Sequence, residues 1–142
     1  SALTIGNALT DEATGITVLL KQILTPVFEG QSPLVFTITI VVIACVLTNI
    51  CNNMVVGMLL IPIIHVFSQQ IGAGSAAIAC LSMYMVCIAV VTPAASTTSA
   101  ILHGNTKWLK IGDIYKYGIL MSIISLIAVL AVGLPIANIF FS

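Results

Sequence analysis

Two apolar segments of equal length, 34–47 and 54–67, fill the first half of the chain and flank a polar hexapeptide, TNICNN. Each segment has about 14 residues and is about 21 Å long as a helix, shorter than the roughly 30 Å hydrocarbon core of a membrane. Polar groups left unpaired in lipid cost several kcal/mol each, so such a hexapeptide survives at membrane depth only where it lines a protein cavity. The pattern therefore predicts a re-entrant helical hairpin over 34–67, whose tip segment, 48–53, stops near the midplane.

A second interrupted segment covers 73–106. Residues 73–91 are mostly apolar, and Pro93 and a run of small hydroxyl residues follow them. Proline removes a backbone donor and clashes with the preceding turn, while hydroxyl groups can satisfy the carbonyls that it frees. This pattern predicts a discontinuous transmembrane helix with its break at 92–99.

The two ends of the chain complete the predicted architecture. Residues 14–28 alternate apolar and polar side chains at helical spacing, which predicts a short amphipathic helix lying along the membrane interface. Residues 114–141 are apolar and long enough to cross a membrane with tilt. Lysines and aromatic residues between Lys107 and Lys116 are typical of a cytoplasmic loop, which places the C-terminus and the mouth of the hairpin outside.

Composition supports this assignment, because 60% of the residues are hydrophobic and only 6% are charged, against about a quarter charged in soluble domains. The zero net charge excludes nucleic acid as a partner. We predict an all-α, multi-pass protein of the plasma (inner) membrane, with 1–142 as a single membrane domain. Because the chain starts at Ser1 and shows no signal-peptide pattern, we expect a segment of a longer polypeptide or a processed one.

The remaining reactive side chains give little support to an enzyme. The four cysteines fit neither a zinc site nor a disulfide framework, and they are interpreted as core-filling thiols. His65 and His103 lack acidic or thiol partners nearby and are interpreted as packing or interfacial residues. No nucleophile, base and orienting group can be assembled from the intramembrane residues, so we expect no catalytic activity and no resident cofactor.

The two polar breaks, 48–53 and 92–99, instead suggest a single binding site. Transporters use the N-termini of half-helices to face anions, and they use unwound carbonyls and side-chain oxygens to bind cations. Asn52 and Asn53 precede the second hairpin arm and can cap it or present amides to a ligand. Neutral hydroxyl, amide and carbonyl oxygens suit sodium. The open alternative is that these side chains only hydrogen-bond neighbouring helices.

The hairpin sequence LTNICNNMVVGMLLIPI and the broken-helix sequence TPAASTTSAILHGN resemble the divalent anion/sodium symporter family of the ion transporter superfamily. The C-terminal repeat of that family carries a Ser-Asn-Thr signature after an earlier Thr, and then a Thr-Pro-Pro-Asn-Ala-Ile motif. Here Asn53 matches the signature Asn, Asn52 its Ser and Thr48 the earlier Thr, while Met54 replaces the signature Thr and the double proline is lost. The resemblance runs from about Gly6 to the last helix.

The resemblance implies a site for one Na⁺ and one end of a di- or tricarboxylate or a related anion. The residues implied at sodium are Thr48, Cys51, Asn53 and Ala95, with Cys51 and Ala95 contributing backbone carbonyls. The residues implied to face the substrate are Asn52, Asn53, Ser96 and Thr97.

Family members contain two inverted repeats, work as dimers and move in an elevator-like manner. The resemblance makes this chain the second repeat of a sodium symporter, which needs the missing N-terminal repeat or a second copy of the chain within the lipid bilayer. The alternative function is a non-transporting membrane scaffold or assembly subunit, whose polar breaks serve helix packing.

Overall fold

The computed structural model describes residue 28 and residues 30–141, and every regular element in this part of the chain is helical. The helices are α1 (Pro33–Ile50), α2 (Asn53–Ile71), α3 (Ser75–Val86), α4 (Thr97–Gly104), α5 (Ile111–Ala128), a π-helical turn (Val129–Gly133) and α6 (Leu134–Phe141). Three apolar helices, namely α1, α2 and the continuous Ile111–Phe141, are long enough to cross a membrane. The predicted all-α membrane fold is thereby confirmed. The predicted interfacial helix 14–28 lies outside the described residues except for Phe28.

Helices α1 and α2 form the hairpin and are joined only by Cys51 and Asn52. They contain 18 and 19 residues, about 27 and 28 Å, so each arm is longer than the predicted 14-residue segments. The difference arises because most of the tip segment is helical rather than unwound. Gly72 ends α2 with a left-handed backbone conformation (φ 69°), which favours glycine.

The broken helix unwinds earlier than its sequence predicts. Helix α3 ends at Val86, ten residues follow without helical structure, and α4 resumes at Thr97. The unwound segment is therefore 87–96 rather than 92–99, and its start does not depend on Pro93. The hydroxyl groups of Thr48 and Ser96 donate hydrogen bonds to the freed carbonyls of Val86 and Ala89, so the helix can end before the proline.

The last helix is almost continuous from Ile111 to Phe141 and contains one wide turn. In this π turn the N–H of Leu134 donates to the carbonyl of Val129, five residues earlier, and Pro135 follows directly. The helix is mostly exposed: only Gly118 and Ser122 are buried in α5. Large apolar side chains cover its exposed surface, as expected for a helix that faces lipid or another protein.

The core lies between the hairpin arms and α3. At the mouth of the hairpin, the Phe28 ring contacts Phe36 edge-on at 5.1 Å between centroids and Phe67 at 5.3 Å. Ile64 and Met85 are fully buried closer to the tip. These contacts fix the two arms against α3, and they set where the tip meets the unwound segment.

Contacts with the last helix show how far along that helix the hairpin tip reaches. A Cβ on Gly74, at the mouth, would lie 3.6 Å from the Phe141 carbonyl oxygen. Near the tip, the Asn49 amide donates to the Ser122 hydroxyl at 3.3 Å. Along the helix axis, Ser122 lies about 28 Å from Phe141 and about 16 Å from Ile111. The tip therefore stops within the length of this helix, nearer to its lysine-bearing end.

Ser82 provides a test of the packing in α3. Its side chain is fully buried, and its hydroxyl makes no hydrogen bond within the described part of the chain. Because an unpaired buried polar group costs about 1–3 kcal/mol, we expect Ser82→Ala to keep or raise the free energy of unfolding, by up to about 1 kcal/mol. Denaturant unfolding in detergent micelles measures this change.

The matched control is Ser99→Ala, because the buried Ser99 hydroxyl does donate, to the Val90 carbonyl at 3.1 Å. It should lower the free energy of unfolding by about 1 kcal/mol. A loss of stability in Ser82→Ala equal to that in Ser99→Ala would contradict the assigned packing of Ser82.

Candidate functional site

The tip segment 48–53 and the unwound segment 87–96 contact each other directly, and this contact is called the junction below. At one end of the junction, the Thr48 hydroxyl donates to the carbonyl of Val86, the last residue of α3, at 2.7 Å. At the other end, the Asn53 N–H donates to the Ala95 carbonyl at 3.0 Å. The two polar breaks seen in the sequence, 48–53 and 92–99, are thus brought into contact through Thr92 and Ala95.

Two helices begin at the junction. The Asn52 carboxamide oxygen accepts from the Met54 N–H at 3.0 Å and caps α2, which confirms the predicted capping role for Asn52. Asn53, predicted to precede the helix as well, is instead its first residue. The Ser96 hydroxyl accepts from the Ser99 N–H at 3.1 Å and caps α4. Because helix N-termini carry partial positive charge, the two starts together favour a negatively charged group beside them.

The predicted sodium residues occupy different parts of the junction. Asn53 and Ala95 are in direct contact, whereas Thr48 is joined to the opposite end of the unwound segment. Thr48 and Ala95 are fully buried, and Cys51 is exposed. The Thr48 hydroxyl uses its hydrogen in donating, so its lone pairs stay available to a cation.

The predicted substrate residues also differ in how far they are already paired. The Ser96 hydroxyl donates to the Ala89 carbonyl at 2.6 Å in addition to capping α4, so it is largely occupied. By contrast, the Asn53 carboxamide and the Thr97 hydroxyl make no hydrogen bond with the described part of the chain, and Thr97 is exposed. Asn53 and Thr97 are therefore the side chains most available to a ligand.

Sequence reasoning missed Asn49, which the structure places at the centre of the junction. This side chain is buried, with 8% exposure. Its carboxamide oxygen accepts from the N–H groups of Val90 and Val91 at 3.2 and 3.0 Å, and its amide donates to the Cys45 carbonyl at 2.8 Å. The sequence does place Asn49 directly after an apolar segment. A carboxamide buried there requires hydrogen-bond partners, which is the signal that could have identified it.

The last helix closes the other side of the unwound segment through two small residues. A Cβ on Gly118 would lie 3.2 Å from both the Val90 carbonyl oxygen and the Val91 Cα. One turn later, the Ser122 hydroxyl donates to the Gly118 carbonyl and accepts from Asn49. Small residues four apart allow such close approach between helices in membranes.

The charged side chains of the described residues form no hydrogen bond or ion pair with the junction. Lys107, Lys110, Asp113 and Lys116 all follow α4 in the chain and are exposed. Within the described residues, no group of three or more His, Cys, Asp or Glu side chains is placed to hold a metal ion. Backbone dipoles and neutral oxygens therefore dominate the electrostatics of the junction.

Two grooves on the described part of the chain lie away from the junction. An apolar groove of about 660 Å³ lies between α3 and the last helix, and a second of about 360 Å³ lies at the hairpin mouth. No residue of the junction lines either groove. Cys51, Asn52 and Thr97 are exposed, so a ligand beside them would need a further protein surface to cover it.

The fold and the junction define the class of this protein: an all-α membrane protein in which a helical hairpin packs its tip against an interrupted helix. Comparison with protein-family models found no match, and comparison with curated proteins found none.

Two glycines of α5 test the close packing at the junction. Gly118 is in contact with backbone, whereas a Cβ on Gly112 would have nothing within 4 Å. We expect Gly118→Ala to lower the free energy of unfolding by about 1–3 kcal/mol, because backbone atoms must move. Gly112→Ala should raise it by up to about 1 kcal/mol through helix propensity.

Thermal and denaturant unfolding of the two variants in the same detergent measures the difference. Equal effects of the two substitutions would contradict the close approach of α5 to the unwound segment.

Proposed function

We propose that this chain is one repeat of a sodium-coupled secondary transporter for di- or tricarboxylates or a related anion. The observation that carries the proposal is the hydrogen bond from Asn53 to Ala95, which joins two helix N-termini and two polar segments in an otherwise apolar chain. Transporters build substrate and ion sites from such interrupted helices.

The proposed sodium site uses neutral oxygen donors only. The Asn53 carboxamide oxygen and the carbonyls of Cys51 and Ala95 are neutral hard donors of the kind that a monovalent alkali cation requires. The Thr48 hydroxyl, proposed together with them, donates to the Val86 carbonyl at the other end of the junction. A carbonyl oxygen has two lone pairs, so Ala95 can accept from Asn53 and still coordinate a cation.

The proposed anion site lies beside it, at the starts of α2 and α4. Asn53 and Thr97 supply uncommitted donors, Asn52 supplies the amide hydrogens that its capping role leaves unused, and Ser96 contributes mainly by shaping the helix start. Charge-assisted hydrogen bonds to a carboxylate are about twice as strong as neutral ones, and the two helix dipoles add to them. The bound cation would supply the remaining positive charge.

The membrane arrangement that we propose is a re-entrant hairpin. Each arm is long enough to cross a membrane by length alone. However, the tip stops about 16 Å short of the Ile111 end of the last helix, which supports a tip that ends within the bilayer. The Lys107 to Lys116 loop would face the cytoplasm, and the C-terminus the outside of the plasma (inner) membrane.

The exposed side chains at and beside the junction offer a surface to a partner. We propose that the missing N-terminal repeat, or a second copy of this chain, covers the exposed Cys51, Asn52 and Thr97, and that the assembly is a homodimer in the lipid bilayer. An elevator-like movement of the hairpin and the broken helix against this partner would then carry the ligand, driven by the sodium gradient.

The alternative is a non-transporting membrane scaffold. It is favoured by the paired state of several polar groups, since Thr48, Ser96 and Ser99 all hydrogen-bond within the chain. The two functions differ in one measurable respect, because a scaffold has no reason to respond to sodium.

Thiol labelling of Cys51 tests the proposal. Cys45 is buried, so replacing Cys80 and Cys87 by serine leaves Cys51 as the exposed thiol. We expect sodium, compared with potassium at equal ionic strength, to slow labelling of Cys51 and to stabilise the folded chain by about 2.7 kcal/mol at 100 times its Kd. Equal labelling rates and unfolding midpoints in both salts would favour the scaffold.

Two substitutions separate ligand binding from structure. Asn53→Ala should abolish the sodium response. In sodium-free buffer it should change the free energy of unfolding by less than about 0.5 kcal/mol, because the carboxamide makes no hydrogen bond with the described part of the chain. Ser96→Ala should lower the free energy of unfolding by about 1 kcal/mol in either salt, because it removes an N-cap. Asn138→Ala, on the exposed face of α6, is the control and should change neither quantity. Unfolding in both salts measures all three.

A further inference from the structure

Asn49 has its full hydrogen-bonding capacity occupied by three different parts of the chain. Its two amide hydrogens go to the Cys45 carbonyl in its own helix and to the Ser122 hydroxyl in α5. Its carboxamide oxygen accepts from Val90 and Val91 in the unwound segment. A carboxamide has two donor hydrogens and two acceptor lone pairs, so nothing remains for a ligand.

The backbone of the same residue adds a further contact. The Thr92 hydroxyl donates to the Asn49 carbonyl at 2.7 Å. Three consecutive residues of the unwound segment, 90–92, thus each form a hydrogen bond with Asn49.

A short rigid turn connects these residues to the proposed ligand groups. The Ala95 N–H donates to the Thr92 carbonyl at 3.1 Å and closes a turn that contains Pro93, whose ring fixes its φ angle. Ala95 in turn accepts from Asn53. The stretch from 90 to 95 is therefore tied at both ends to the tip segment, first at Asn49 and then at Asn53.

We infer that Asn49 is the positioning residue of the candidate site. It sets the register of the unwound segment against the tip segment and thereby aligns the Ala95 carbonyl and the start of α4 with Asn53. Asn49 does not contact the ligand; it acts through Ala95 and Thr97. This inference rests on the proposed function for its ligand, while the positioning itself is measurable without one.

The chemistry of the position favours asparagine over similar residues. Leucine would leave the N–H groups of Val90 and Val91 without an acceptor, and an ionised aspartate would lose both donors to Cys45 and Ser122. In a lipid environment no water replaces these partners, so the unwound segment would move to find others.

Hydrogen exchange of the backbone amides tests the positioning directly. In Asn49→Ala, we expect the amides of Val90 and Val91 to exchange about tenfold faster, the factor that corresponds to the loss of one hydrogen bond, while amides in the middle of α2 keep their wild-type rates. Ser122→Ala removes one of the two acceptors of the Asn49 amide hydrogens and should give a smaller increase in the exchange rates of Val90 and Val91. This variant replaces Asn49→Ala in the experiment if Asn49→Ala does not fold.

The control for a merely structural role is Leu60→Ala, a buried substitution in α2 away from the junction. It should lower the unfolding midpoint without selectively accelerating exchange at Val90 and Val91. Unchanged exchange at these two amides in Asn49→Ala, or an increase shared equally with α2, would overturn the inference.

A sodium titration then separates this inference from the proposed function. If sodium slows the labelling of Cys51 in wild type, Asn49→Ala should raise the half-maximal sodium concentration for this effect at least fivefold. Leu60→Ala should leave that concentration unchanged. An unchanged value in Asn49→Ala would overturn the link between positioning and binding. If wild type shows no sodium response, the proposed function and that link both fail, while the exchange measurement still decides whether Asn49 fixes the register.

Discussion

The structure depends on the pairing of an unwound backbone by side chains from a neighbouring helix end. Ten residues between α3 and α4 leave helical geometry, and in an apolar environment their N–H and carbonyl groups have no water to replace the lost helical bonds. Thr48 and Asn49 supply partners from the hairpin, and Ser96 and Ser99 supply them locally. The hairpin tip and the broken helix therefore stabilise each other, and neither conformation would persist without the other.

The local signals in the sequence correctly predicted the all-α membrane fold, since long apolar segments and sparse charge are sufficient for it. They were less accurate on helix boundaries. The sequence around Thr48 and Asn49 is polar and predicted an unwound tip, yet both residues are helical. Their polar side chains can stay in the helix because residues about 40 positions further along the chain supply their hydrogen-bond partners. In the same way, Pro93 predicted the start of the break, whereas hydroxyl groups that pair the earlier carbonyls allow it to begin at 87.

The same long-range dependence limits prediction of the site. The family resemblance pointed to Asn53 and Ala95, which the fold brings into contact, and their roles at sodium remain predictions. Asn49 received no role because nothing in the sequence near it shows that it faces the unwound segment. The commitment of the Ser96 hydroxyl to Ala89 likewise became apparent only from the fold. Local sequence thus indicates which polar groups are available, while tertiary contacts decide which are already occupied.

The π turn at Val129–Gly133 determines which side of the last helix faces the rest of the protein. Successive residues of an α-helix are rotated by about 100°, so Ala137 would lie about 80° away from Val129 around the axis of an uninterrupted α-helix. The extra residue in the wide turn removes about one such step and returns Ala137 to within about 20° of Val129. Both residues are buried as a result. The extra residue thus acts as an angular correction: the same side of this long helix faces the rest of the protein before and after the π turn.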